Sequence, residues 1–145
     1  MPRRIACIPA QTISGEQAAS FVRSGMWLDY GVALCQPDVF DKALAARRET
    51  LENVKIRSCL SMRPRAVVED DPDGKHFFLF SWHFSGYDRK KHDAGRCNYM
   101  PLNLGEVPTT TAGSLSQWTW SFLRYARWTR TVTSTSVPPI SGTAR

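Results

Sequence analysis

Residues 76–95 read HFFLFSWHFSGYDRKKHDAG, and the way this stretch divides decides the fold. Phe77 to Phe80 form a short run that is too uniformly apolar for a sheet with one wet face, so the run predicts a strand covered on both faces, as in parallel α/β sheets. The preceding DDPDG, residues 70–74, is turn chemistry: Pro72 fixes its own backbone angle and Gly74 tolerates positive φ. Ser81, Trp82 and His83 fall at the carboxyl end of the strand. Tyr87 to Ala94 then predicts a helix, with Gly95 as its stop.

Working upstream, VKIRSCLSM (residues 54–62) alternates Val54, Ile56, Leu60 and Met62 with polar positions, which predicts a second strand with these four side chains on one face. Pro37 and Asp38 suit the start of a longer helix that carries Phe40, Leu44 and Leu51 on one side. MWLDYG, residues 26–31, predicts a strand ending at Gly31. Ser14-x-x-Gln17 is a capping-box pattern before Ala18, Ala19, Phe21 and Val22, and Gly25 can end that short helix. Downstream, CNYMPL is a further extended piece. Strands alternating with helices predict an α/β fold, a layered and mostly parallel sheet flanked by helices.

A chain of 145 residues that is 42% apolar can bury one ordinary core. Cys7, Cys35, Cys59 and Cys97 form no Cys-x-x-Cys pair, so neither a zinc knuckle nor a secreted disulfide framework is indicated. With no signal-peptide core and no apolar run near membrane-spanning length, a soluble cytoplasmic protein without membrane partners is expected. The net charge of +6 would suit an anionic partner, but its distribution argues otherwise. Residues 1–108 hold 15 Lys and Arg against all 13 Asp and Glu, a balance of +2, while residues 109–145 carry four Arg and no acid.

Ser81 and His83 are two apart, so in an extended chain they face one side and could bond a substrate oxygen together. A catalytic triad would also need an acid to orient His83, and Ser81 is not in a Gly-x-Ser-x-Gly elbow. Ser81, His83 and Tyr30 are therefore expected to line a substrate pocket, and no catalytic residue is assigned. His92 and Cys97 lack further ligands at zinc-site spacing, so no metal is assigned. Arg89, Lys90 and Lys91 read as a solvated helix end, and Gly15, Gly25 and Gly31 form no phosphate-binding pattern.

Four ordered blocks make the chain recognisable: SGMWLDYG (24–31), DKALAARRETLENVKIRSCLSMRPRAV (41–67), FSWHFSGYDRK (80–90) and NYMPLNLGEVP (98–108). Together they closely resemble the amino-terminal part of the acetyl-CoA hydrolase/CoA-transferase family, which includes butyrate- and 4-hydroxybutyrate-type acyl-CoA:acetate CoA-transferases. The resemblance implies a parent enzyme that takes acyl-CoA and a small carboxylate as partners, with coenzyme A thioester as substrate and no tightly bound cofactor. It further implies a glutamate that attacks the thioester, and a Gly-rich CoA-binding loop, both farther along than this chain extends. None of Glu16, Glu49, Glu52, Glu69 or Glu106 sits in a matching motif, so the chain alone is expected to be inactive.

The resemblance covers about residues 12–108, giving a partial CoA-transferase amino-terminal domain at 1–108. Residues 109–145 hold 15 Ser or Thr and three of the five Trp. Read from the third base of each written codon, Trp128 to Ser136 permits MDADGYFNF, which resembles the family's next block. A frameshift near Pro108 is therefore expected, making 109–145 an out-of-frame, poorly ordered tail and this chain a fragment that could self-associate through exposed sheet edges. Two other readings stand beside it: a nucleic-acid arm stacking Trp118, Trp120, Tyr125 and Trp128 on bases, disfavoured because basic-aromatic interleaving arises often by accident, and a non-catalytic acyl-binding or regulatory module.

Overall fold

Five strands build one sheet: β1 (Trp27–Val32), β2 (Val54–Cys59), β3 (Phe77–Ser81), β4 (Cys97–Tyr99) and β5 (Trp118–Ser121). Their order is β4-β3-β2-β1-β5, and every neighbouring pair is parallel. This is the computed structural model of the chain, which describes residues 13–106 and 118–121. Among the described residues four α-helices accompany the strands: α1 (Gly15–Ser20), α2 (Asp38–Ala45), α3 (Ala66–Glu69) and α4 (Gly86–Asp93). The α/β class and the parallel sheet read from the sequence are those observed.

Local chemistry sets the helix starts. Ser14 Oγ accepts from Gln17 N at 3.1 Å while Ser14 N donates to Gln17 Oε1 at 2.8 Å, so two otherwise orphan donors of α1 are satisfied reciprocally. The same device opens α4, where Ser85 Oγ accepts from Asp88 N at 3.1 Å and Asp88 Oδ2 accepts from Ser85 N at 2.9 Å. Helix α2 is shorter than its apolar pattern suggests. It ends at Ala45, and a 3-10 turn over Arg48–Thr50 carries Leu51 into the core in place of a continued helix.

Parallel strands need crossovers, and β1 to β4 step across the sheet in one direction, so right-handed connections put α2, α3 and α4 on a single face. That face is the core: Leu28 and Tyr30 of β1, Val54 and Ile56 of β2, and Phe77 and Leu79 of β3 pack with Ala19, Val22, Phe40, Leu44, Val67 and Val68. On the opposite face Phe78 and Phe80 are only half-buried, so β3 alternates and is not covered equally on both sides. Phe80 packs there against Trp27 with ring centroids 5.0 Å apart and the planes tilted by 43°, and Lys55 lies 5.6 Å over the same indole. The alternation expected through Met62 also stops early. Leu60 adopts φ of 55°, which ends β2 after Cys59 and leaves Leu60 half-buried and Met62 exposed.

The entry to β3 is organised by one buried carboxylate. Asp71 accepts from Lys75 N at 3.2 Å and from His76 N and Phe77 N at 3.0 Å each, closing the turn around Gly74. Burial pushes this carboxyl up, but the amides of Phe77, His76 and Lys75 together with the Arg96 guanidinium bring it below its ordinary value of 3.8. Its contribution to stability is thus present above that ordinary value and lost as the pH falls through the depressed one. Asp71→Asn is expected to lower stability by about 1–3 kcal/mol at pH 7. Urea midpoints of the two proteins should converge as the pH is taken below the ordinary carboxylate value, and a constant gap would refute the assignment.

Candidate functional site

The strand order changes direction between β1 and β5, because β1 to β4 run to one side and β5 lies on the other. In open α/β sheets the crevice outside the carboxyl ends at such a reversal is where ligands gather. Here the carboxyl end of β1 is irregular. Its register with β2 shifts between Asp29 and Val32, Gly31 has φ of 69° and Ala33 has φ of 50°. Asp29 Oδ1 fixes this bend by accepting from Gly31 N at 2.9 Å, and Asp29 Oδ2 is ion-paired with Arg57 of β2. The Arg57 guanidinium in turn lies 5.8 Å from the Trp82 ring, so the loops after β1 and β3 are linked through one cation.

Non-glycine residues at positive φ are uncommon and strained, and two of the three described here, Ala33 and Leu60, sit where β1 and β2 end. Around them the chain exposes Val32, Leu34 and Met62, large apolar side chains gathered at the same edge. Behind that edge the side chains turn polar. Gln36, Ser58, Ser61, Ser81 and Asp88 are all buried. Gln36 Nε2 donates to Ser61 Oγ at 3.3 Å, the hydroxyls of Ser58 and Ser61 are 3.4 Å apart, and Asp88 Oδ2 accepts from Ser61 N at 3.0 Å. Ser85 Oγ donates to Ser61 O at 2.6 Å and Leu60 N to His83 O at 2.9 Å, so the loops after β2 and β3 are stitched together.

The three residues expected to line a pocket are placed differently from one another. Ser81 is buried, with its hydroxyl 3.1 Å from the main-chain oxygen of His83 and 3.4 Å from Asp88 Oδ2. The His83 side chain is exposed, because β3 ends at Ser81 and the chain bends before His83, so the two side chains do not share a face. Tyr30 faces the core beneath the edge, against Phe40 with ring centroids 6.0 Å apart, and its hydroxyl is buried close to Asp41. Burial, then the Asp41 charge, holds the Tyr30 phenol well above its ordinary value, and burial likewise raises the Asp41 carboxyl.

Two cysteines border the site as thiols. Burial, then the charges of Asp88 and Asp29, pushes Cys59 up to about 11, and burial, then Asp88, pushes Cys97 up to about 12, far from the thiolate a nucleophile requires. His92 Nδ1 lies 2.7 Å from Cys97 O, which occupies the ring in a main-chain contact. Among the described residues no three His, Cys, Asp or Glu converge. Among the described residues this edge therefore assembles no nucleophile with a base and an orienting acid.

The residues 8–121 match the family model described as the acetyl-CoA hydrolase/transferase N-terminal domain. The chain belongs to this family. The match takes in all five strands, continuing past Pro108 through β5. Relatives include a protein named "Probable butyrate:acetyl-CoA coenzyme A-transferase" in Syntrophomonas wolfei, 40% identical over 103 residues, covering 70% of this chain and 23% of that one. Butyryl-CoA:acetate CoA-transferase of Anaerostipes caccae is 38% identical over 95 residues, covering 66% of this chain and 21% of the relative. The chain thus spans less than a quarter of the length of either relative. Among solved structures, RipA from Yersinia pestis superposes with a TM-score of 0.60 at 20% identity over 74% of this chain and 27% of that one, a likeness of fold.

Asp88 and Ser61, which organise the edge, escaped the sequence reading; Ser85-x-x-Asp88 has capping-box spacing that would have marked Asp88, whereas Ser61 has no local signal. Ser81→Ala is expected to destabilise the chain by about 1 kcal/mol through lost hydrogen bonds. His83→Ala should stay within about 0.5 kcal/mol, as exposed positions do. Chemical denaturation of both variants checks this, and a His83 effect as large as that of Ser81 would contradict the placement.

Proposed function

We propose that this chain forms the amino-terminal wall of a cleft in which CoA passes between an acyl-CoA and a small carboxylate such as acetate, or in which acetyl-CoA is hydrolysed. The family match over residues 8–121 is the observation that carries this reading. Relatives named for butyrate, acetate, succinyl-CoA and cyclohexane-1-carboxylate share a carboxylate and its acyl-CoA as substrate type, and the butyryl and cyclohexyl groups among them have an apolar body. The exposed Val32, Leu34 and Met62 beside the β1/β5 crevice supply an apolar wall suited to such a body. Acyl-CoA is a cytoplasmic metabolite class, and we place the chain in that compartment.

The residues here bind and orient; the attacking carboxylate implied by the family comes from elsewhere. All five glutamates of the chain are exposed, and Glu69 is held by Tyr87 Oη and Lys91 Nζ at 2.8 and 2.9 Å. A carboxylate that must attack a thioester and then carry CoA needs a site from which water is excluded. Purified as 145 residues, the chain is therefore expected to give no CoA exchange between butyryl-CoA and labelled acetate above the buffer rate. Exchange that co-purifies with the 145-residue species, and not with a longer contaminant, would overturn the reading.

We also infer that residues 109–145 are read in a shifted frame, against which stands the family match that runs on to residue 121 in the written frame. Their Ser, Thr and Trp content and the permitted reading MDADGYFNF over 128–136 support this. An edge beside β1 accepts any extended segment through main-chain bonds, which accounts for a Trp-Thr-Trp-Ser strand in that position. Sequencing the DNA after the Pro108 codon tests the inference: a long alternative frame supports it, and an uninterrupted written frame whose homologues share this tail removes it.

A further inference from the structure

Asp88 is 0% exposed, yet every hydrogen bond that its side chain accepts comes from a neutral donor. Ser61 N, Ser85 N and Ser81 Oγ lie 3.0, 2.9 and 3.4 Å from Oδ2. Among the described residues Oδ1 has no hydrogen-bond partner, and no Lys, Arg or His is ion-paired with this carboxylate. A buried charge is ordinarily paired or coordinates a metal. The first turn of α4 offsets only about half a charge.

A second orphan lies beside it. Gln36 is 1% exposed, its Nε2 donates to Ser61 Oγ at 3.3 Å, and its Oε1 has no partner. Ser61 therefore touches both Asp88, through its amide, and Gln36, through its hydroxyl, and that hydroxyl is 3.4 Å from the Ser58 hydroxyl. Unsatisfied buried atoms in a native fold call for a bound water or ion. Both orphans are acceptors, and the cluster has a carboxylate without a cationic side chain, which favours a positive ion over a neutral molecule.

We propose that a monovalent cation, Na+ or K+, is held here by Asp88 Oδ1, Gln36 Oε1 and the hydroxyl oxygens of Ser58 and Ser61. An all-oxygen set suits a hard cation. A single carboxylate, with no three metal-ligating side chains converging among the described residues, suits one charge better than two. The ion joins the segment after β1, the end of β2 with its following loop, and the start of α4, pinning the crevice from behind. This site is independent of the transferase reading and would exist whether or not the chain binds CoA.

The test is thermal unfolding of the 145-residue chain in NaCl, KCl and choline chloride at equal ionic strength, since an ion that binds only the folded state raises the midpoint by mass action. A saturable rise in Na+ or K+ that choline does not produce is expected. Asp88→Asn should abolish it, and Gln36→Met should shift the half-saturating concentration up by about tenfold. If Asp88→Asn does not fold, Ser58→Ala and Gln36→Met carry the test. Equal midpoints in all three salts would assign the orphan oxygens to water and overturn the proposal. An ion-specific rise unaltered by these substitutions would do the same.

Discussion

Parallel pairing of β1, β2 and β3 is the constraint from which the rest of the molecule follows. A parallel pair cannot be closed by a tight turn, so each strand hands the chain to a crossover that returns to the opposite edge. All carboxyl ends then share one side of the sheet, and the loops that leave them must find hydrogen-bond partners for main-chain groups that the ladder no longer satisfies. Ser81 and Asp88 answer that need, Ser81 Oγ by donating to His83 O and Asp88 Oδ2 by accepting from Ser61 N and Ser85 N. Polar residues at this edge are thus first a structural necessity.

This necessity explains what was legible in the sequence. Element types were readable because they depend on neighbours: the Ser14 cap, the turn at residues 70–74 and the apolar run at 77–80 all act within a few residues. The edge was less so. Ser81 and His83 have the spacing of a same-face pair, but that inference needs an extended backbone, and the strand ends at Ser81. Which side of β3 would be covered depends on the direction of the crossovers, a global property that no local pattern records. Leu60 at positive φ is likewise invisible to a period of two, since the pattern predicts a strand through Met62.

Family membership and site chemistry also came from different evidence. Four sequence blocks carried the family, and the match over residues 8–121 shows it. The residues that hold the edge together, Asp88 and Ser61, are joined by a 3.0 Å bond across 27 positions. Such a contact becomes readable only when β2 and β3 lie side by side. The Asp29–Arg57–Trp82 chain on the other face has the same character, since it crosses three strand ends and leaves no periodic trace.

The turn held by Asp71 has a kinetic implication. Its carboxylate meets three amides no more than six residues ahead, so the loop it closes is far shorter than any crossover in the sheet. Closure entropy grows with loop length, and contacts this local form before distant strands meet. The start of β3 can therefore be set while β1 and β2 are still searching for each other, giving β3 a defined beginning against which its neighbours β2 and β4 align.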